Sequence, residues 1–149
     1  MTISTGTKIM KALRFAEFGP PSVLRFEEIS IPEPREGEAL IHLKAAAINP
    51  SDVGNVAGRF KNTTLPRTPG RDFAGIVVKG KQHEGQKVWG RCSSLGIIHD
   101  GSPPSSAKVL RPAFLQPPPV ETVPFEKAVD AYSRVAARQT KTKQVLGFG

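Results

Sequence analysis

The chain has 149 residues, 38% hydrophobic and 23% charged, which suits one domain with its own buried core and excludes a disordered segment. Its net charge is +8, but acids and bases interleave as far as Asp130 and no aromatic ladder accompanies the basic residues that follow, which argues against a nucleic-acid partner. A single cysteine, Cys92, excludes an internal disulfide and a cysteine-rich metal site; no run is apolar enough to span a bilayer, and the opening MTISTGTKIM lacks a signal-peptide core, so a cytoplasmic protein without a membrane partner is expected.

Residues 1–9 read as a flexible tail. Met10–Phe15 (MKALRF) alternates and predicts a strand. FGPPS is turn chemistry, because glycine frees the backbone and two prolines stop a helix. Val23–Ile31 is a second extended run, followed by the loop PEPREGE. Glu38–Ile48 opens by alternation, with Ile41, Leu43, Ala45 and Ala47 on one side and Leu40, His42 and Lys44 on the other. His42 in that pattern is an exposed strand residue rather than a base. Asn49 precedes a proline and is pushed out of helix geometry; Pro50 and Ser51 then start a short helix through Ala57, weakened by Gly54.

A polar loop from Gly58 to Thr68 leads to strands over Asp72–Gly80 (DFAGIVVKG) and Gln86–Arg91 (QKVWGR). Cys92–Ser106 has no period and reads as a loop. QPPPVETVPF, from Gln116, reads as a polyproline-like connector. In the late helix that follows, Phe125, Ala128, Val129, Tyr132, Val135 and Ala136 share one face, and Asp130 and Arg134 are spaced to pair. Lys143–Phe148 closes the chain as a strand. The sum is a mainly β fold with appended helices.

The run from Met10 to Asp52, ending in AAAINPSD, resembles the start of the medium-chain dehydrogenases/reductases, especially their zinc-independent quinone reductases. PGRDFAGIVV and GQKVWG follow in that family's order, and PPPVETVPFEKAVDAYSRVAARQTKTKQVLGFG resembles its ending. The resemblance implies a single GroES-like domain over 10–149, built as a partly closed β-barrel. It also implies that 101–123 form a junction where the family inserts its Rossmann domain. A dinucleotide needs a strand, a glycine turn and a helix N-terminus for its pyrophosphate, and no such unit fits between Gly90 and Pro117.

The resemblance also bears on metal and cofactor. Where zinc-dependent relatives carry a cysteine ligand this chain has Asn49, and where they carry His and Glu it has Arg71 and Asp72. An arginine repels Zn²⁺ and an amide is a poor ligand for it, so no zinc is expected. NADPH is implied by the resemblance alone, and no tight binding to this chain is expected.

The resemblance further implies Asn49 and Asp52 as candidate catalytic residues, and Asn49 and Arg71 as candidate cofactor contacts. An amide can polarise a quinone or enone oxygen. Alternatively, Asn49 and Asp52 bond their own backbone at a helix start. Arg71 can meet a phosphate or serve a structural ion pair with its surroundings. Several relatives carry a tyrosine where this chain has Gly54.

Two functions follow. One is an NADPH-dependent quinone or enone reductase relative, not competent as a lone chain, completed by a separate nucleotide-binding chain or a second subunit. The other is a non-catalytic binding or assembly domain, a homo-oligomer included, that uses the face left open between domains.

Overall fold

The computed structural model describes residues 8–81, 83–91, 107–109 and 119–149. The stretch 1–7, Cys92 with the loop around it, and most of the expected junction lie outside the described residues.

Two antiparallel strands, β1 (Ile9–Arg14) and β2 (Arg25–Ser30), form one small sheet, with Leu13 opposite Phe26. The FGPPS turn between them becomes a single 3-10 turn at Pro21–Val23. The larger sheet uses β3 (Ala39–Ala47), β4 (Asp72–Gly80), β5 (Lys87–Arg91), β6 (Ala107–Val109), β7 (Val120–Pro124) and β8 (Lys143–Gly147). Helix α1 (Pro50–Val56) follows β3, and α2 (Ala128–Ala136) joins β7 to β8.

The order in the larger sheet is β6-β5-β4-β3-β8-β7. The mainly β architecture with appended helices is the expected one. Its described strands stop short of a closed barrel, because β6 and β7 each end the sheet as an edge. A backbone bridge ties the segment after β1 to the loop before β4: Phe15 and Arg67 exchange N–H···O bonds, both 2.9 Å.

Three local expectations are corrected. In β3 the alternation changes phase: the register with β4 shifts between Leu43 and Ala45, Ala46 is buried, and Ala45 and Ala47 turn toward the other face. The extra residue is Lys44, whose carbonyl accepts the N–H of Phe148 instead. Second, Val120–Pro124 is a strand rather than a polyproline connector, because β8 offers it a parallel partner along its full length. Pro124 is tolerated as its last residue, at a sheet edge. Third, Arg134 reaches Glu121 and Gln144 rather than Asp130: the strands β7 and β8 beside α2 offer acceptors that compete with the neighbouring turn.

The main core lies between α2, α1 and the strands. It holds Phe15, Leu24, Ile48, Val56, Ala128, Ala131, Tyr132 and Leu146. Phe125 links the two sheets: its ring meets Phe26 edge-on at 5.2 Å and Phe148 at 4.9 Å. A second cluster on β3–β5 contains Ala46, Phe73, Val77 and Val88.

Candidate functional site

The site begins where β3 runs into α1. Asn49 is extended (φ −105°, ψ 153°), Pro50 opens the helix, and the Asn49 carbonyl accepts the Asp52 N–H at 2.9 Å. Asp52 Oδ2 reaches back and accepts the Asn49 backbone N–H at 2.8 Å, the reciprocal arm of a capping box. Asp52 is only 1% exposed. Burial pushes its carboxyl above the ordinary value of 3.8, and the backbone and side-chain hydrogen bonds of Asn49 and the charge of Arg71 oppose that rise. Tyr132, on α2, is 2% exposed, and burial with the nearby Asp52 charge pushes its phenol well above 10.0. The hydroxyl is therefore neutral throughout the physiological range.

Besides its hydrogen bond at this helix start, the Asn49 amide reaches two other elements. Its Nδ2 donates to Asp72 Oδ2 at 2.9 Å, and its Oδ1 accepts from Lys143 Nζ. The two contacts assign the amide the same way round, since a carboxylate accepts only from the nitrogen and an ammonium donates only to the oxygen. Asp72 is the first residue of β4 and Lys143 the first of β8, so three elements supply the triad. Arg71 sits beside Asp72, with its guanidinium 5.2 Å from the centre of the Phe60 ring. Phe60 is itself partly exposed, and Gly54 lies under it: a β-carbon there would be 3.7 Å from Phe60 and 3.4 Å from Arg59.

The structure thus brings the three candidate residues together. Asn49 touches Asp52 through the backbone, and Arg71 acts on Asp52 through its charge. Lys143, Asp72 and Phe60 complete the cluster. Lys143 was not among the residues singled out in the sequence; its signal was its place at the outward-facing start of the last strand. Arg67 is a further buried cation, reaching Thr64 Oγ1 at 3.5 Å, away from this triad.

Among the described residues no group of three or more His, Cys, Asp or Glu could hold a metal ion, and none of their helices is long and apolar enough to cross a membrane. The Asn49 oxygen already accepts from the Lys143 ammonium, and the Asp72 carboxylate accepts from the Asn49 amide nitrogen. The one parallel strand–helix–strand unit among the described residues is β7–α2–β8. Its turn is Pro124–Phe125–Glu126, with no glycine for a close phosphate approach and an acid in the first turn.

The arrangement matches a known domain: residues 35–106 fit the family described as the alcohol dehydrogenase GroES-like domain. Residues 35–106 carry an alcohol dehydrogenase GroES-like domain. This GroES-like chain is 38% identical to a zinc-type alcohol dehydrogenase-like protein of Schizosaccharomyces pombe, over 94% of its own length and 47% of that protein. It is 42% identical to the 2-methylene-furan-3-one reductase of Solanum lycopersicum, over 54% of the chain and 23% of the reductase. Its fold matches the quinone oxidoreductase of Coxiella burnetii with a TM-score of 0.53 and 36% identity, over 58% of the chain and 30% of that enzyme. A mycobacterial structure complexed with NADPH matches with a TM-score of 0.53 and 30% identity, over 57% of the chain and 27% of that protein. The GroES-like chain therefore spans about half the length of one of these relatives and a quarter to a third of the others.

Proposed function

We propose that this chain is the substrate-binding part of a zinc-independent, NADPH-linked reductase of quinones or enones. We propose further that it does not turn over substrate as a lone chain. Asn49, Asp52 and Arg71 form the working wall, and a separate nucleotide-binding chain or a second subunit supplies the seat for NADPH. The observation that carries this reading is the Asn49–Asp72–Lys143 triad, built from polar groups around a fixed ammonium, in a domain whose relatives include a quinone oxidoreductase and a furanone reductase. The glycine-free turn at Pro124 supports the second half of the proposal.

Reduced nicotinamide, when present, supplies a hydride. The chain's own residues build the wall that faces the acceptor: Asp52 fixes the Asn49 backbone, and Asp72 and Lys143 fix its amide. Titrating the purified chain with NADPH, followed by nicotinamide fluorescence and by quinone consumption, is expected to give neither saturable binding nor turnover. Saturable binding with turnover by the single chain would overturn the claim of dependence on a second component.

A second reading, a binding or assembly domain, is favoured by Trp89, 46% exposed on β5. An indole left in water on a sheet face suits a partner surface. Light scattering that gives the mass of one chain at high concentration would count against it.

A further inference from the structure

We infer that Lys143, rather than the Asn49 amide, is the group that binds the substrate's oxygen, and that the site selects ligands whose oxygen carries negative charge. The inference rests on the reductase reading above and deepens it by naming the contact.

The argument starts from what each polar group at the site has left to give. The Asn49 amide spends its oxygen on Lys143 and one of its two N–H groups on Asp72. Turning it toward a ligand breaks both contacts and leaves a carboxylate and an ammonium without their partner. Asp52 is buried and committed to the Asn49 backbone. Tyr132 lies in the core. Lys143 differs from all three. Its side chain is half-buried, and among the described residues its ammonium donates to Asn49 Oδ1 alone, so two of its three N–H groups remain for a ligand.

The lysine is also held in place. Gln144, the next residue, is 1% exposed, and its carbonyl accepts the Ile48 N–H at 3.0 Å, which locks the start of β8 against the end of β3. The Asn49 oxygen then fixes the far end of the lysine side chain. A cation anchored at both ends is preorganised for an oxygen that gains charge. Quinones and enones share that chemistry, since reducing either leaves negative charge on the carbonyl oxygen. A phenolate presents the same charge on the same type of atom without any redox step.

The probe is therefore 4-nitrophenolate, titrated into the full chain at a pH where the phenol is ionised and followed by its visible absorbance. The wild-type chain is expected to bind it saturably. Lys143→Met is expected to weaken binding on the order of tenfold or more, the scale of a charged hydrogen bond, with Lys143→Arg retaining most of it. Lys141→Met, on the exposed turn before β8, is expected to leave binding unchanged. Circular dichroism melts check that each variant folds. Should Lys143→Met fail to fold, the wild-type chain still answers: the ¹⁵N resonance of the Lys143 ammonium is expected to shift on adding the phenolate.

Equal binding by wild type and a folded Lys143→Met would overturn the inference, as would an unmoved Lys143 resonance or no saturable binding by wild type. The reductase reading fails differently. It fails if no quinone is consumed when any nucleotide-binding partner is supplied, whatever phenolate does at Lys143.

Discussion

The α-carbon of Gly75 faces the backbone of His42 so closely that a β-carbon on it would stand 2.3 Å from the His42 carbonyl oxygen. The same carbon would stand 2.8 Å from Ile41 Cγ2. Gly75 and Leu43 are paired partners in the β3–β4 ladder, just before the register shift at Lys44. The close approach thus lies directly beside the place where β3 changes phase. Gly75→Ala is expected to destabilise the chain by about 3 kcal/mol, because a backbone oxygen cannot swing aside as a side chain can. Gly85→Ala is the matched control. Gly85 has φ +78° and no atom within 4 Å of its would-be β-carbon, so only the left-handed backbone penalises alanine, by about 1 kcal/mol. Urea midpoints of the two variants separate steric from conformational cost.

Asp52 is the second test. Removing its carboxylate in Asp52→Ala strips the acceptor from the Asn49 N–H at the start of α1, with an expected loss of about 1–2 kcal/mol. Asp52→Asn keeps a carbonyl oxygen at that position and is expected to lose less than half as much. Thermal melts of both variants check the order; equal losses would mean that the capping contact carries little of the stability.

The same residue sets a pH dependence whose sign is fixed. Its folded carboxyl is pushed up from 3.8, mainly by burial, so the folded state holds that proton more tightly than the unfolded state. The stability this contributes is fully present below about pH 3.8 and is lost as pH rises through the raised folded value, after which it is flat. Asp52→Asn cannot titrate. Stability of wild type minus that of Asp52→Asn is therefore expected to fall as pH rises above 3.8 and to level once the folded carboxyl has ionised. Other carboxylates cancel in the difference. A difference that rises with pH would contradict the burial of an unfavoured charge.

Local chemistry explains which parts of this were legible in the sequence. The bounds of Asp72–Gly80 are legible because a branched apolar run between polar turns carries its own ends, and the start of α1 because Asn-Pro-Ser marks a helix start without outside help, while its end falls at Val56, one residue short of the expected Ala57. The phase of Ala45 and Ala47 was misread since a bulge at Lys44 depends on what pairs with it, which alternation alone does not encode. β7 looked like a connector because its proline content speaks locally, whereas its strand state comes from β8, about twenty residues later. The site divided along the same line. Asn49 and Asp52 sit three residues apart and announced themselves, whereas Lys143 meets Asn49 across 94 positions.

Gln144 supplies the last prediction. It is a buried amide on β8 with both ends occupied: Nε2 donates to Glu121 Oε2 at 2.9 Å, and Oε1 accepts from Arg134 Nη2 at 2.8 Å. Arg134 closes the ring on Glu121 Oε1 at 3.0 Å. The amide therefore ties the edge strand β7, the helix α2 and β8 at one point. Gln144→Ala removes these bonds from a buried amide whose partners remain open to water, and an expected loss of about 1 kcal/mol follows. The variant also has a signature that a simple cavity lacks. The Gln144 hydrogen bond is the largest cause holding the Glu121 carboxyl below its ordinary 4.5, ahead of that from Arg134. In Gln144→Ala the Glu121 titration, followed by NMR of its side chain, is expected to move up toward that value. A lowered Glu121 contributes stability above pH 4.5 that is lost as pH falls through its folded value, so the variant is also expected to lose less stability on acidification than wild type. An unmoved Glu121 would leave Arg134 as its sole support and remove Gln144 from the joint between β7 and α2.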